Sequence, residues 1–280
     1  MNYELIDSGD GRRLERFGDY ILDRPDPEVL WKKMLDEKEW NKANAKFDNS
    51  WINRNVPEKW QMDHNGIKFW AKLTPFKHTG VFPEQMEQWD WISEKLKVKS
   101  DKHSLPKGGK LNVLNLFAYT GIASIFAAKA GAKVTHVDAS RPAITWANEN
   151  RDLNNMQDAP IRWIVDDCLK FVEREVKRGV KYDAILMDPP VYGHAPNGDV
   201  WNFSKDFPKL LEVCKKILSD KPVFVLVNAY AISSSSTTLA NTLQGYFGDL
   251  GGKIENGELT LKETSGGRLL STGIWAKWSK

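Results

Sequence analysis

The residues of this 280-residue chain best suited to chemistry stand at the ends of apolar runs. Leu111-Asn-Val-Leu-Asn-Leu-Phe-Ala-Tyr-Thr-Gly121 carries an apolar strand into a tight turn and then a helix. The next apolar run, Lys133-Val-Thr-His-Val-Asp138, closes on a lone carboxylate seventeen residues after Gly121. Strand, glycine turn, helix and acid-ended strand make half of a nucleotide-binding unit, in which the acid can accept both hydroxyls of a ribose. The turn argues against a dinucleotide. Pyrophosphate needs glycines where its oxygens approach the backbone, and here Phe117 and Tyr119 occupy those places. Such a turn suits a smaller ligand without phosphate.

S-adenosylmethionine meets that description, with its carboxylate near the helix N-terminus and its ribose on Asp138. Two further stations follow in order. Ile161-Arg-Trp-Ile-Val165 reads as a third strand ending in Asp166-Asp167-Cys168, where a side chain can accept a hydrogen bond from an adenine amino group. Tyr182-Asp-Ala-Ile-Leu-Met187 reads as a fourth strand ending in Asp188-Pro189-Pro190. Two successive prolines fix φ and donate nothing, so their neighbouring carbonyls are expected to stay free to face a pocket. Open α/β sheets bind ligands at the carboxyl ends of their strands, which is where all these residues fall.

Taken together, the sequence resembles the class I S-adenosylmethionine-dependent methyltransferases. It is most similar to the group that includes bacterial 23S ribosomal RNA cytosine carbon-5 methyltransferases and the guanine-N7 domain of a related bifunctional enzyme. The matching segments are His78-Thr-Gly-Val-Phe-Pro-Glu-Gln85, Leu114-Asn-Leu-Phe-Ala-Tyr-Thr-Gly121, Val137-Asp-Ala-Ser140, Asp166-Asp167 and Asp188-Pro-Pro-Val-Tyr-Gly193. The resemblance covers the chain from about Leu73 onward. It implies that Thr79, Phe117, Tyr119 and Gly121 surround the methionine moiety, with Gln85 as a further candidate. Asp138 would hold the ribose and Asp167 the adenine, and Asn115, Thr120, Ala139, Asp166, Cys168 and Pro189 complete the expected cofactor shell.

One departure from the group bears on the acceptor. Carbon 5 of a pyrimidine is a poor nucleophile until a thiolate adds at carbon 6. The carbon-5 enzymes carry that cysteine just after the fifth strand, where this chain has Phe224-Val-Leu-Val-Asn-Ala-Tyr230. Its two cysteines, Cys168 and Cys214, read as small buried side chains. A heteroatom acceptor at nitrogen follows, because the sulfonium is already a good leaving group and catalysis reduces to alignment and desolvation. Asp188 is the expected acceptor-orienting residue, with Pro190, Tyr192, Trp201, Asn228 and Tyr230 as substrate contacts. Enzymes of exocyclic amines place an aromatic directly after the two prolines; here Val191 holds that place and Tyr192 comes one later. The segment from Tyr192 to Phe203 reads as a substrate gate, and His194 within it as either a general base or an ordinary loop histidine.

Other classes find little support. No histidine or cysteine spacing suggests a metal, and no P-loop, Gly-x-Ser-x-Gly elbow or His-Glu-x-x-His pair is present. Two cysteines and no signal peptide point to a reducing cytoplasm, and no apolar run reaches the roughly 20 residues of a membrane span. A net charge of +3 does not announce nucleic acid, and the clusters Arg12-Arg13-x-x-Arg16 and Lys95-x-Lys-x-Lys99 read as solvated surface. An RNA substrate is therefore implied by the resemblance alone. A small-molecule or protein methyltransferase, or a non-catalytic RNA-binding protein, stands as the alternative.

The elements that must position these residues divide into two domains, 1–73 and 74–280. The second is expected to be an α/β, Rossmann-like, seven-stranded sheet in order 3-2-1-4-5-7-6, the order by resemblance and the elements by periodicity. The first reads as a small β-rich appendage without a recognisable RNA-binding module of the PUA type. Its expected elements are strands at Tyr3–Asp7 and Asp19–Asp23, a helix opening at Pro27, and a hairpin turning at Asn65-Gly66. Five of twelve tryptophans (31, 40, 51, 60 and 70) crowd this region, where a stacking surface is conceivable.

Overall fold

A computed structural model describes residues 1–102, 109–194 and 200–280. The chain forms two compact units, Met1–Met86 with Leu259–Thr272, and Glu87–Glu258 with Gly273–Lys280.

In the first unit β1 (Tyr3–Gly9), β2 (Arg12–Phe17) and β3 (Tyr20–Pro25) form an antiparallel meander. After a short helix, α1 (Glu37–Trp40), strand β4 (Ala45–Asp48) pairs parallel to β3, and β5 (Ser50–Asn53) pairs antiparallel to β4. Strands β6 (Trp60–His64) and β7 (Ile67–Ala71) make the expected hairpin. Asn65 and Gly66 both have positive φ (50° and 73°), as a two-residue turn matching strand twist requires.

Three expectations for this unit are corrected. Pro27 opens no helix: residues 27 and 28 form a turn in which Asp26 accepts the Glu28 N–H, and the helix begins only at Glu37, capped by Asp36. The cluster Arg12-Arg13-x-x-Arg16 is not a solvated basic face but belongs to β2, with Arg12 on Asp23, Arg13 on Glu15 and Arg16 on Glu4. The boundary at residue 73 falls inside the unit. There the Trp51 indole N–H donates to the carbonyls of Thr74 and Phe76, and the Arg24 guanidinium to that of Lys77. Residues 259–272 join the unit through Glu263, which accepts from the Ser8 N–H and hydroxyl at 2.7 and 2.9 Å and is paired with Arg268.

The second unit starts along α2 (Met86–Lys102) and then alternates: β8 (Asn112–Leu116), α3 (Ile122–Lys129), β9 (Lys133–Asp138), α4 (Arg141–Leu153), β10 (Ile161–Val165), α5 (Cys168–Arg178) and β11 (Ala184–Met187). A short antiparallel pair, β12 (Tyr192–His194) and β13 (Val200–Asn202), precedes α6 (Phe203–Lys216). Strand β14 (Phe224–Ala229), α7 (Ser236–Phe247), β15 (Lys253–Lys262) and β16 (Leu269–Ser279) complete the chain. The sheet runs β10-β9-β8-β11-β14-β16-β15, which is the expected 3-2-1-4-5-7-6. The first five strands pair in parallel and β16 is antiparallel to β14. Central parallel strands are covered on both faces, so they read as unbroken apolar runs. Leu114, Leu116, Ile185, Met187, Val225 and Val227 pack on one side, and Val113, Ala184, Leu186, Phe224 and Leu226 on the other.

Candidate active site at the carboxyl ends of the central strands

The turn after β8 is built from left-handed residues. Phe117, Tyr119 and Gly121 have φ of 53°, 47° and 78°. Two of these are not glycine, and such backbone carries about 1–3 kcal/mol of strain per residue, which the surroundings must hold in place. They do so from the end of β9 and the start of α5. The Phe117 N–H donates to Cys168 Sγ at 3.2 Å, the Ala118 N–H to the Val137 carbonyl at 3.1 Å, and the Tyr119 N–H to Asp138 Oδ2 at 2.8 Å. Gly121 is needed on two counts, its φ and the 2.8 Å that would separate an added Cβ from that of Ala147.

Asp138 ends β9 with its other oxygen, Oδ1, accepting the Ser140 N–H at 2.8 Å. Burial raises this carboxyl above its ordinary value, opposed by those two backbone N–H bonds. A carboxylate offers about four acceptor sites, so each oxygen retains capacity for one ribose hydroxyl. Beside it, burial and then the Asp138 charge push the Tyr119 phenol up to about 12. Asp167 caps α5, with Oδ1 accepting the Lys170 N–H at 2.8 Å. Asp166 accepts the Asp167 N–H and pairs with Arg174. Ala139 is half-buried, and Thr120 is buried with its carbonyl accepting the Asn150 amide.

Asn115 sits in a buried chain: its amide donates to Ser124 Oγ at 2.9 Å, and Ser124 Oγ lies 3.0 Å from His136 Nδ1. Burial pushes the His136 imidazole down to about 3, so it stays neutral, packed 4.7 Å from the Trp163 ring. Sequence reasoning missed Ser124 and His136; they support the strand ends from beneath, and nothing in their spacing marks them. Thr79 and Gln85 are buried residues of the first unit.

At the end of β11, Asp188 is half-buried and its N–H donates to the Leu116 carbonyl at 3.3 Å. Pro189 is buried, Pro190 and Tyr192 exposed. The expectation of free proline carbonyls is corrected, because the Trp201 indole N–H donates to the Pro190 carbonyl at 2.7 Å. Trp201 is itself buried, its ring 4.9 Å from that of Phe117, so it braces the segment rather than offering a face for stacking. In the parallel register that pairs Met187 with Val227, Asn228 comes level with Asp188. Asn228 is buried, and among the described residues its Oδ1 meets no donor. Tyr230, half-buried, packs where a side chain at Gly273 would stand. The His194 side chain and residues 195–199, the middle of the expected gate, lie outside the described residues.

The left-handed turn, Asp138 with an acceptor site to spare on each oxygen, and Asp166 and Asp167 gather at the strand ends with no glycine-rich cradle for phosphate. The sequence pattern of the S-adenosylmethionine-dependent methyltransferases matches residues 40–238. The chain belongs to that family. A solved methyltransferase from Agrobacterium tumefaciens is 38% identical, with a TM-score of 0.93 over 100% of this chain and 90% of that one. A Streptococcus mutans structure, 18% identical with a TM-score of 0.71 over 99% of this chain and 75% of its own, shares the fold. Among curated relatives, the ribosomal RNA large subunit methyltransferases K/L of Pseudoalteromonas translucida and Shewanella frigidimarina are 36% and 35% identical over 165 residues. Those matches cover 58% of this chain and 21% of each relative, so the chain spans about a fifth of their length.

The cofactor is therefore S-adenosylmethionine, and the residues fit it. Asp138 would supply paired acceptors for a ribose, and the crowded turn leaves no phosphate cradle. Asp138→Ala should weaken S-adenosylmethionine binding by ~1.5–3 kcal/mol, the loss of a charged hydrogen-bond acceptor. Isothermal titration reads it directly, and unchanged affinity would remove Asp138 from the ribose site. Among the described residues no group of three or more His, Cys, Asp or Glu stands together as a metal site, and no helix is long and apolar enough to cross a membrane.

Proposed function

We propose that the chain methylates RNA at a nitrogen acceptor, without a covalent enzyme–base intermediate. Support for RNA comes from the curated relatives, which are named for large-subunit ribosomal RNA. The absence of a covalent step rests on the cysteines. Both are fully buried, and burial raises both thiols above their ordinary value, so neither forms a thiolate readily. Cys168 is engaged by the Phe117 N–H under the cofactor turn, Cys214 lies in the core with α6, and β14 ends in Asn228 and Ala229.

In this reading the cofactor supplies an electrophilic methyl group, and the chain's residues align the acceptor with it. Asp138 holds the ribose, Asp167 the adenine, and the residues from Phe117 to Gly121 enclose the methionine end. Asp188 orients the acceptor nitrogen, Asn228 and Tyr230 stand beside it, and the exposed Tyr192 covers the target base. Cytoplasmic placement accords with such a substrate.

Methyl transfer from radiolabelled S-adenosylmethionine to total RNA, protein and small-molecule fractions tests the reading, with nucleoside mass spectrometry of the labelled RNA. A methylated nitrogen in RNA is expected; label confined to protein or small molecules would overturn it. Cys168→Ser keeps an acceptor for the Phe117 N–H, and together with Cys214→Ala it should leave kcat within about threefold of wild type. A loss of ~10²-fold or more in that double variant would restore a nucleophilic cysteine.

A further inference from the structure

The charge of the first eighty residues is divided along the chain. Residues 1–40 hold seven Lys or Arg against eleven Asp or Glu, whereas residues 41–80 hold seven against three. Four of the eleven acids of the first half turn inward: Glu15 and Asp7 are fully buried, and Asp23 and Asp26 nearly so. Three of the five tryptophans do the same. Trp40 and Trp60 are buried, and the indole N–H groups of Trp31, Trp40 and Trp60 donate to Ser8, Asp7 and the Phe17 carbonyl.

The hairpin β6–β7 is different. Its residues alternate: Ile67, Phe69 and Ala71 are buried, while Lys68 is exposed and Trp70 and Lys72 are half-exposed on the other face. Across from Trp70 stands the exposed Gln61, and Lys59 places its Nζ 4.8 Å from the Trp70 ring centroid. Asp63, opposite Lys68, is the acid of this face. The chain then enters the turn at residues 75–77, where Phe76 is 71% exposed. That turn is fixed from within: the Trp51 indole and the Thr74 hydroxyl both donate to the Phe76 carbonyl. Five residues separate the two aromatics, at most about 22 Å of extended chain.

We propose that the outer face of β6–β7 and the following turn bind single-stranded RNA, with Trp70 and Phe76 stacking on bases and Lys59, Lys68 and Lys72 meeting phosphates. The proposal rests on the RNA reading above. Aromatic platforms flanked by lysines suit single strands, because every base has a face to stack while a duplex hides its bases. A large exposed Phe on a turn held by two hydrogen bonds is a rigid platform, so ordering it on binding sacrifices little entropy. The location also bears on how a chain of net charge +3 engages a polyanion: residues 41–80 alone carry a positive excess of four.

The test uses the full chain and a fluorescein-labelled 16-nucleotide RNA, single-stranded or annealed to its complement, with fluorescence anisotropy at several salt concentrations. Wild type should prefer the single strand. Trp70→Ala and Phe76→Ala should each weaken it roughly tenfold, the effect of one lost base stack, while Trp70→Phe retains most of the affinity. Lys68→Ala with Lys72→Ala should lower the salt dependence by about 0.7 for each phosphate no longer neutralised. S-adenosylmethionine affinity should stay at the wild-type value in all of these variants. Wild-type RNA affinity in Trp70→Ala, Phe76→Ala and the lysine pair would overturn this surface and leave the RNA reading standing. No RNA binding by wild type at low salt would overturn both.

Discussion

Glu15→Ala is expected to remove about 3–5 kcal/mol of stability, the usual result of stranding buried charges by deleting their partner. Glu15 is fully buried in β2 and carries a dense set of bonds: Arg24 donates to both carboxylate oxygens at 2.7 and 2.8 Å, and the Tyr3 hydroxyl at 2.8 Å. Arg13 lies 3.2 Å away. Burial acts to raise the Glu15 carboxyl, but Arg13, Arg24 and the hydrogen bonds outweigh it and hold the group below its ordinary value. Its contribution is therefore complete above the unfolded carboxyl value and is lost as pH falls through the lower folded one. Deletion leaves two guanidinium groups inside, with Asp26 at 3.5 Å from Arg13 and Glu84 nearby, whose own carboxyl burial has raised. Urea unfolding of wild type and Glu15→Ala reads the difference. Replacing Glu15, Arg13 and Arg24 together by apolar residues of similar volume should be less damaging than Glu15→Ala alone, because no charge is then left unpaired. Equal losses would show that packing rather than charge pairing sets the stability of this sheet.

Strand β2 also explains why the first unit was poorly legible. Arg-Arg-Leu-Glu-Arg-Phe has the composition of a solvated face, and two of the acids that neutralise it, Glu4 and Asp23, lie on other strands, so no local pattern reveals that it is buried. Likewise β4 and β5 are four residues each, too short to show alternation. The segment after Pro27 has helix-forming residues, but its Met34 and Leu35 N–H groups donate to Asp7 instead. That bond is made across more than twenty-five residues, as is the capture of residues 259–272 by β1. The methyltransferase sheet was legible because alternating strands and helices admit few topologies, and its central strands are apolar on both faces. The placement of the candidate residues was legible for the same reason: the acids among them terminate strands. What escaped were the supports, Trp201 on the Pro190 carbonyl and Ser124–His136 beneath Asn115, whose roles depend on side-chain direction.

Those supports bear on the largest catalytic effect. Asp188→Ala should lower kcat by about 10²–10³-fold, with S-adenosylmethionine affinity within about threefold of wild type. In-line methyl transfer to a nitrogen needs little beyond alignment, and a misplacement of about 1 Å can cost ~10² in rate. Asp188 is well placed to set that alignment. Its N–H is tied to the Leu116 carbonyl, the next residue is buried, and the Pro190 carbonyl is held by Trp201, which also packs on Phe117 of the cofactor turn. One braced segment thus joins the turn expected to hold the methyl donor and the carboxylate proposed to orient the acceptor. Asp188→Asn separates the two chemical roles open to this carboxylate. An amide still accepts a hydrogen bond from an acceptor N–H but cannot take up its proton, so near-wild-type kcat would assign orientation alone. A loss equal to that of Asp188→Ala, measured by single-turnover kinetics at saturating cofactor, would instead make Asp188 the base that removes the proton. A ring nitrogen without a proton needs neither service, and there Asp188→Ala would leave kcat close to wild type. The pair of variants therefore reads the protonation state of the target nitrogen before the base itself is identified.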